Sequence, residues 1–144
     1  MKNHLLFLCL ILLLGSCAKE QLDKDIPLIG LIQAGPQQIK ANEDSVYFHI
    51  SYEDANGDLG SQDAKVSNLF VEDMRINLIY EFRIQELVPN AAAVPIRGEL
   101  HFSLNNTVIT GAGSVEWVNY RIWIKDRAGN ESNKIIAGSF KVIP

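Results

Sequence analysis

Five stretches of this chain alternate apolar and polar residues with a period of two. That pattern limits the fold more than any other feature, because successive side chains of a strand point to opposite faces. In Ser45–Glu53, Val46, Phe48, Ile50 and Tyr52 share one face, and Tyr47, His49, Ser51 and Glu53 the other. In Glu116–Lys125, Val118, Tyr120, Ile122 and Ile124 read as core, with Trp117, Asn119, Arg121 and Trp123 opposite. Glu99–Leu104 turns Leu100, Phe102 and Leu104 inward and His101 outward, and Lys134–Ile143 groups Ile136, Phe140 and Val142. Asn77–Leu87 sets Leu78, Tyr80, Phe82 and Ile84 on one face; a helix competes there, and the aromatic and β-branched content selects a strand. Ile26–Ile32, with Pro27 near its start, suits an edge strand that Gly35-Pro36 ends, and Leu69-Phe70-Val71 is a further short strand. Clusters of Gly, Asn, Asp and Pro separate these runs. About seven short strands and no convincing helix predict an all-β chain, an antiparallel β-sandwich of two sheets. Phe48, Ile50, Phe102, Tyr120, Ile122 and Phe140 are expected in its core.

The N-terminus follows different rules. Lys2 precedes an unbroken apolar run of ten residues, Leu5–Leu14, and small Gly15 and Ser16 follow. Ten residues match the hydrophobic region of an export signal, whereas a bilayer-spanning helix needs roughly 20. Leu14-Gly15-Ser16-Cys17 resembles the bacterial lipobox, whose cysteine is diacylglycerated before the chain is cut ahead of it. The resemblance implies a signal peptide over residues 1–16 and lipidation at Cys17. Two or three acyl chains on one residue hold a protein to a membrane stably. Residues 17–26 are then anchor and tether, and residues 27–144 the sandwich. The tether from Ala18 to Ile26 reaches roughly 30 Å at most. Ala18, standing where Asp resembles an inner-membrane retention signal, leans towards the outer membrane, and Lys19-Glu20 weakly resembles the charged tags of surface-displayed lipoproteins.

Composition narrows the partners. Removing residues 1–16 takes away Lys2 alone among the charged residues, so the formal charge of −4 becomes −5. A mildly acidic surface argues against nucleic acid and against peripheral binding to anionic lipid. The two cysteines are Cys9, inside the signal, and Cys17, so the sandwich holds no thiol for a disulfide or a cysteine zinc site.

Tyr120-x-Ile122-x-Ile124-x-Asp126-x-Ala128-Gly129-Asn130 resembles the last hairpin of fibronectin-III-like and other bacterial immunoglobulin-like surface modules. In that setting Tyr120 makes a tyrosine corner with its hydroxyl on backbone, Gly129 supplies a positive φ, and Asp126 and Asn130 cap the turn. With the lipobox, the chain resembles small outer-membrane lipoproteins carrying one immunoglobulin-like domain. The Cys-Trp-Cys pattern of antibody domains is absent.

Asp54-x-Asn56-x-Asp58 places oxygen-bearing side chains at alternate positions, as calcium loops do, although Leu59 and Lys65 break the EF-hand pattern. Strands 45–53 and 116–125, as B and F of such a sandwich, would bring Asp126 and Asn130 to the same end. Asp54, Asn56, Asp58, Asp126 and Asn130 are therefore candidate Ca²⁺ ligands, with no cofactor required. Trp117, Arg121 and Trp123 on the outward face are a candidate glycan or protein surface. His49 and His101, also outward, read as surface residues and not as zinc ligands. No catalytic motif is present: there is no G-x-S-x-G, no H-E-x-x-H and no phosphate-cradling glycine loop. The sequence thus favours a non-catalytic, lipid-anchored interaction or structural module at the outer membrane. A glycan- or small-ligand-binding lipoprotein is the alternative, and a hydrolase using paired carboxylates is the third reading.

Overall fold

The computed structural model describes residues 25–89, 93–105 and 107–144; the signal segment and Cys17 lie outside the described residues. The strands are β1 (Leu28–Gly35), β2 (Gln38–Lys40), β3 (Val46–Asp54), β4 (Leu69–Asp73), β5 (Leu78–Phe82), β6 (Ile96–Leu104), β7 (Glu116–Ile124) and β8 (Ile135–Ile143). They form a three-stranded sheet, β1-β3-β6, and a five-stranded sheet, β2-β8-β7-β4-β5. The order β1-β3-β6 over β8-β7-β4 is that of A-B-E over G-F-C in an immunoglobulin-like sandwich. Among the described residues no helix is long and apolar enough to cross a membrane.

The core lies where the alternation places it. Val46, Phe48 and Ile50 of β3 meet Val118, Tyr120 and Ile122 of β7 and Phe140 and Val142 of β8, all buried. Phe48 packs face to face with Phe102 at 5.1 Å between ring centroids and edge-on to Tyr120 at 5.6 Å. Both geometries suit the ring quadrupole. Phe102 is only half-buried, contrary to expectation, because β6 is the outermost strand of its sheet.

Three further expectations need correction. First, the sandwich has eight strands and is not wholly antiparallel, since β2 pairs with β8 in parallel. Across Pro36 and Gln37 the chain passes from one sheet to the other without reversing, so β1 and β2 run the same way in opposite sheets. Second, Ile136 is exposed and Ala137 is buried. A bulge opposite Val118–Tyr120 inserts one extra residue in β8, so Phe140 and Val142 face inward on the other phase from Ala137. Third, Leu78 is exposed, because β5 ends a five-stranded sheet that faces one of only three strands.

Two ends result. Residues 55–68, 83–89, 93–95 and 125–134 lie at the end where the chain enters through Asp25, and residues 36–45, 74–77 and 107–115 lie at the other end.

Candidate functional site

The Asp54–Gly60 and Asp126–Asn130 turns meet at the entry end. Arg127 donates its N–H to the Asp58 carbonyl at 3.2 Å, and the Ala128 N–H reaches Asp58 Oδ2 at 3.2 Å. The carboxylates, however, are turned onto backbone donors. Asp54 Oδ1 accepts from the N–H groups of Asn56 and Gly57, and Oδ2 from Leu59 at 2.8 Å. Asp126 Oδ1 accepts the Asn130 N–H, and Oδ2 the Asn130 side-chain amide, both at 2.8 Å. Asn56 Oδ1 accepts from the Asp58 N–H at 3.4 Å. Asp54, Asn56 and Asp126 thus cap the two turns through these hydrogen bonds, and their side-chain oxygens keep further acceptor capacity. Asp58 is the exception: its Oδ1 is buried with no hydrogen-bond partner among the described residues. Burial above all, then the charges of Asp126 and Asp54, push the Asp58 carboxyl above the ordinary range, against the Ala128 N–H and Arg127. Arg127 also ties the turns together through the Gly60 carbonyl at 3.1 Å and Glu86 at 3.6 Å. Gly60, at φ +90°, presses against the Gln85 carbonyl where a Cβ would stand.

The aromatic surface is not continuous. Trp117 is 60% exposed and Trp123 only 7%. Trp123 lies between Phe70, stacked at 5.3 Å, and the Lys134 ammonium, 4.7 Å from its ring. Arg121 pairs with Glu72, its cross-strand neighbour, at 2.7 Å. The outward assignment of Trp123 is therefore corrected: the neighbouring strand and the β7–β8 loop cover it.

On the outer face of the smaller sheet lies a grouping that residue-by-residue reading passes over. His49 and His101 are opposite one another on β3 and β6, and their rings stack at 3.9 Å, 21° from parallel. Glu99 stands two residues before His101, on the same face, and its Oε2 is 2.7 Å from His49 Nε2. Among the described residues this trio alone of His, Cys, Asp and Glu sets ligand atoms all within 4.8 Å of one another. The signal in the sequence is Glu99-x-His101 on one strand and His49 on another outward face; it has meaning only once the register is known.

At the far end an ion network organises the β6–β7 loop. Arg75 spans Asp73, with contacts of 2.6–3.2 Å, and Glu116 at 2.7 Å. Glu116 also accepts the Thr110 N–H and hydroxyl, each at 2.9 Å, and the Gly111 N–H. The Thr110 N–H leads these interactions, which together with Arg75 hold the Glu116 carboxyl down at about 2 against burial. The Tyr120 hydroxyl lies 3.1 Å from Thr107 Oγ1, so the corner closes on a side chain and not on backbone. Burial pushes that phenol up to about 12.

A pocket of about 370 Å³ beside the entry end is lined by Glu53, Asp54, Ala55, Pro95, Ile96 and Arg97. One of its two carboxylates, Asp54, accepts three backbone N–H groups. No protein-family model, no curated protein and no solved structure matches this chain.

Proposed function

We propose that the protein is a non-catalytic module held by lipid on Cys17 to the outer membrane, with an immunoglobulin-like domain that serves interaction or support. The observation that carries this reading is the use made of the carboxylates. Asp54, Asp126, Asp73 and Glu116, the acids around which chemistry would be built, are consumed in capping turns and anchoring loops. The export features Lys2, Leu5–Leu14 and Gly15-Ser16-Cys17 supply the anchor. A polar tether of roughly 30 Å at most enters the fold beside the Asp126–Asn130 turn, where the Asn130 amide donates to the Asp25 carbonyl at 2.8 Å. The capped acidic turns then face the membrane, and residues 36–45, 74–77 and 107–115 project away from it. Glycan binding keeps less support, because Trp117 stands without Trp123 beside it.

Metabolic labelling with an alkyne fatty acid, followed by membrane fractionation, tests the anchor. The parent chain should label and sediment with outer membrane, and Cys17→Ser should do neither. Equal labelling of both, or a soluble unlabelled parent, overturns the reading.

A further inference from the structure

We infer that His49, Glu99 and His101 form a binding site for a divalent transition-metal ion, Zn²⁺ by its donor set, on the outer face of the three-stranded sheet. The site follows from register. β3 and β6 pair without interruption from Val46↔Leu104 to Asp54↔Ile96, which sets His49 opposite His101. Alternation along β6 sends Glu99 and His101 to the same side. Two strands locked over nine pairs fix the three Cα positions, so the arrangement does not depend on a loop.

The chemistry points to one class of ion. Two imidazoles and a carboxylate, with no thiolate, suit Zn²⁺ and its borderline neighbours Ni²⁺ and Cu²⁺. Ca²⁺ and Mg²⁺ prefer sets of oxygen ligands and gain nothing from two ring nitrogens. Three protein ligands with a fourth position open to solvent is the zinc pattern of accessible sites, as distinct from closed structural ones. Here the open side is outward: Glu99 and His101 are exposed, and His49, with its side chain 19% exposed, forms the floor. The ligand atoms already lie within 4.8 Å of one another. Tetrahedral zinc with Zn–N near 2.0–2.1 Å needs ring nitrogens about 3.3 Å apart. The stacked rings, 3.9 Å apart at their centroids, reach that by turning about Cβ–Cγ, a soft torsion for histidine. No strand has to move. In the metal-free state the His49–Glu99 hydrogen bond orients both partners towards the same point.

The bound ion cross-links β6, an edge strand, to β3, and binding to the native state alone raises stability with metal concentration. Isothermal titration of the full chain with ZnCl₂, after alkylation of Cys9 and Cys17, tests the site. One equivalent should bind, and the ring signals of His49 and His101 should shift in NMR spectra while those of His4 do not. His101→Ala removes an exposed ligand and Glu99→Gln keeps the shape of the carboxylate; each should weaken binding by about tenfold or more with the metal-free melting temperature unchanged. Absence of binding at millimolar Zn²⁺ overturns the inference. So does undiminished binding in both variants, or perturbation of His4 alone.

Discussion

Asn133 holds both backbone polar groups of Ile29: its Oδ1 accepts the Ile29 N–H at 2.8 Å, and its Nδ2 donates to the Ile29 carbonyl at 2.9 Å. A single amide thereby stands in for a neighbouring strand and fastens β1 to the loop ahead of β8. Asn68 does the same for Ile84, giving its Nδ2 to the Ile84 carbonyl and accepting the Ile84 N–H. Asn133→Ala leaves two backbone groups of a buried residue unpaired and should cost about 1–3 kcal/mol. Urea unfolding checks the total, and hydrogen exchange at the Ile29 amide checks the place. An unchanged exchange rate would show that β1 holds its register without this clamp.

Phe48 touches three other rings, those of Phe102, Tyr120 and Phe140, across the middle of the sandwich. Phe48→Ala should destabilise the domain by about 3–5 kcal/mol, a large part of a typical total of roughly 5–15 kcal/mol. A change in urea midpoint worth less than about 1 kcal/mol would contradict the packing described.

Glu116 gives the fold an acid-sensitive point. Its carboxyl, ordinarily near 4.5, is held at about 2, first by the Thr110 N–H. A lowered folded-state pKa contributes stability that is full above the unfolded value and is lost as pH falls from about 4.5 towards about 2. Glu116→Gln should therefore be less stable than the parent at pH 6, and the gap should close as pH approaches 2. Parallel urea midpoints across that range decide it; a gap constant with pH would assign the effect to lost geometry.

Asp58 has the opposite sign. Its raised pKa means that the protonated form suits the fold, so its contribution is full below the unfolded value of 3.8 and falls as pH rises through the folded one. Asp58→Asn removes the charge and can still accept the Ala128 N–H, and should stabilise the protein at pH 7 and do so less in acid, which parallel urea midpoints check. Melts of the parent in millimolar Ca²⁺ and in EDTA test the two turns as a cation site: a higher midpoint in Ca²⁺ that Asp58→Asn abolishes is the outcome expected of bound Ca²⁺. Coincident melts would leave both turns as hydrogen-bonded loop ends.

The alternation in 45–53 and 116–125 carried the sandwich, its core and the meeting of the two acidic turns, because period two is a local property that survives into the fold. Ile136 escaped it because a bulge is set by pairing between strands and leaves no mark on the pattern of one. Trp123 escaped it because what covers an outward face comes from elsewhere, here Phe70 and Lys134. The His49–Glu99–His101 trio was hidden for the same reason: its members are ordinary surface residues until β3 and β6 are aligned. For the Asp-rich turns the meeting of the two loops was legible and their hydrogen-bond pattern was not, since a carboxylate that caps its own turn and one that awaits a cation share a sequence.

β8 lies between β2, made much earlier in synthesis, and β7, the strand made just before it. A nascent chain lacking Ile135–Ile143 leaves both neighbours with open edges, and Phe140 and Val142 absent from the core. The sandwich therefore stays open until β8 joins it, and the wide separation in sequence between β2 and β8 makes that closure a slow, long-range step.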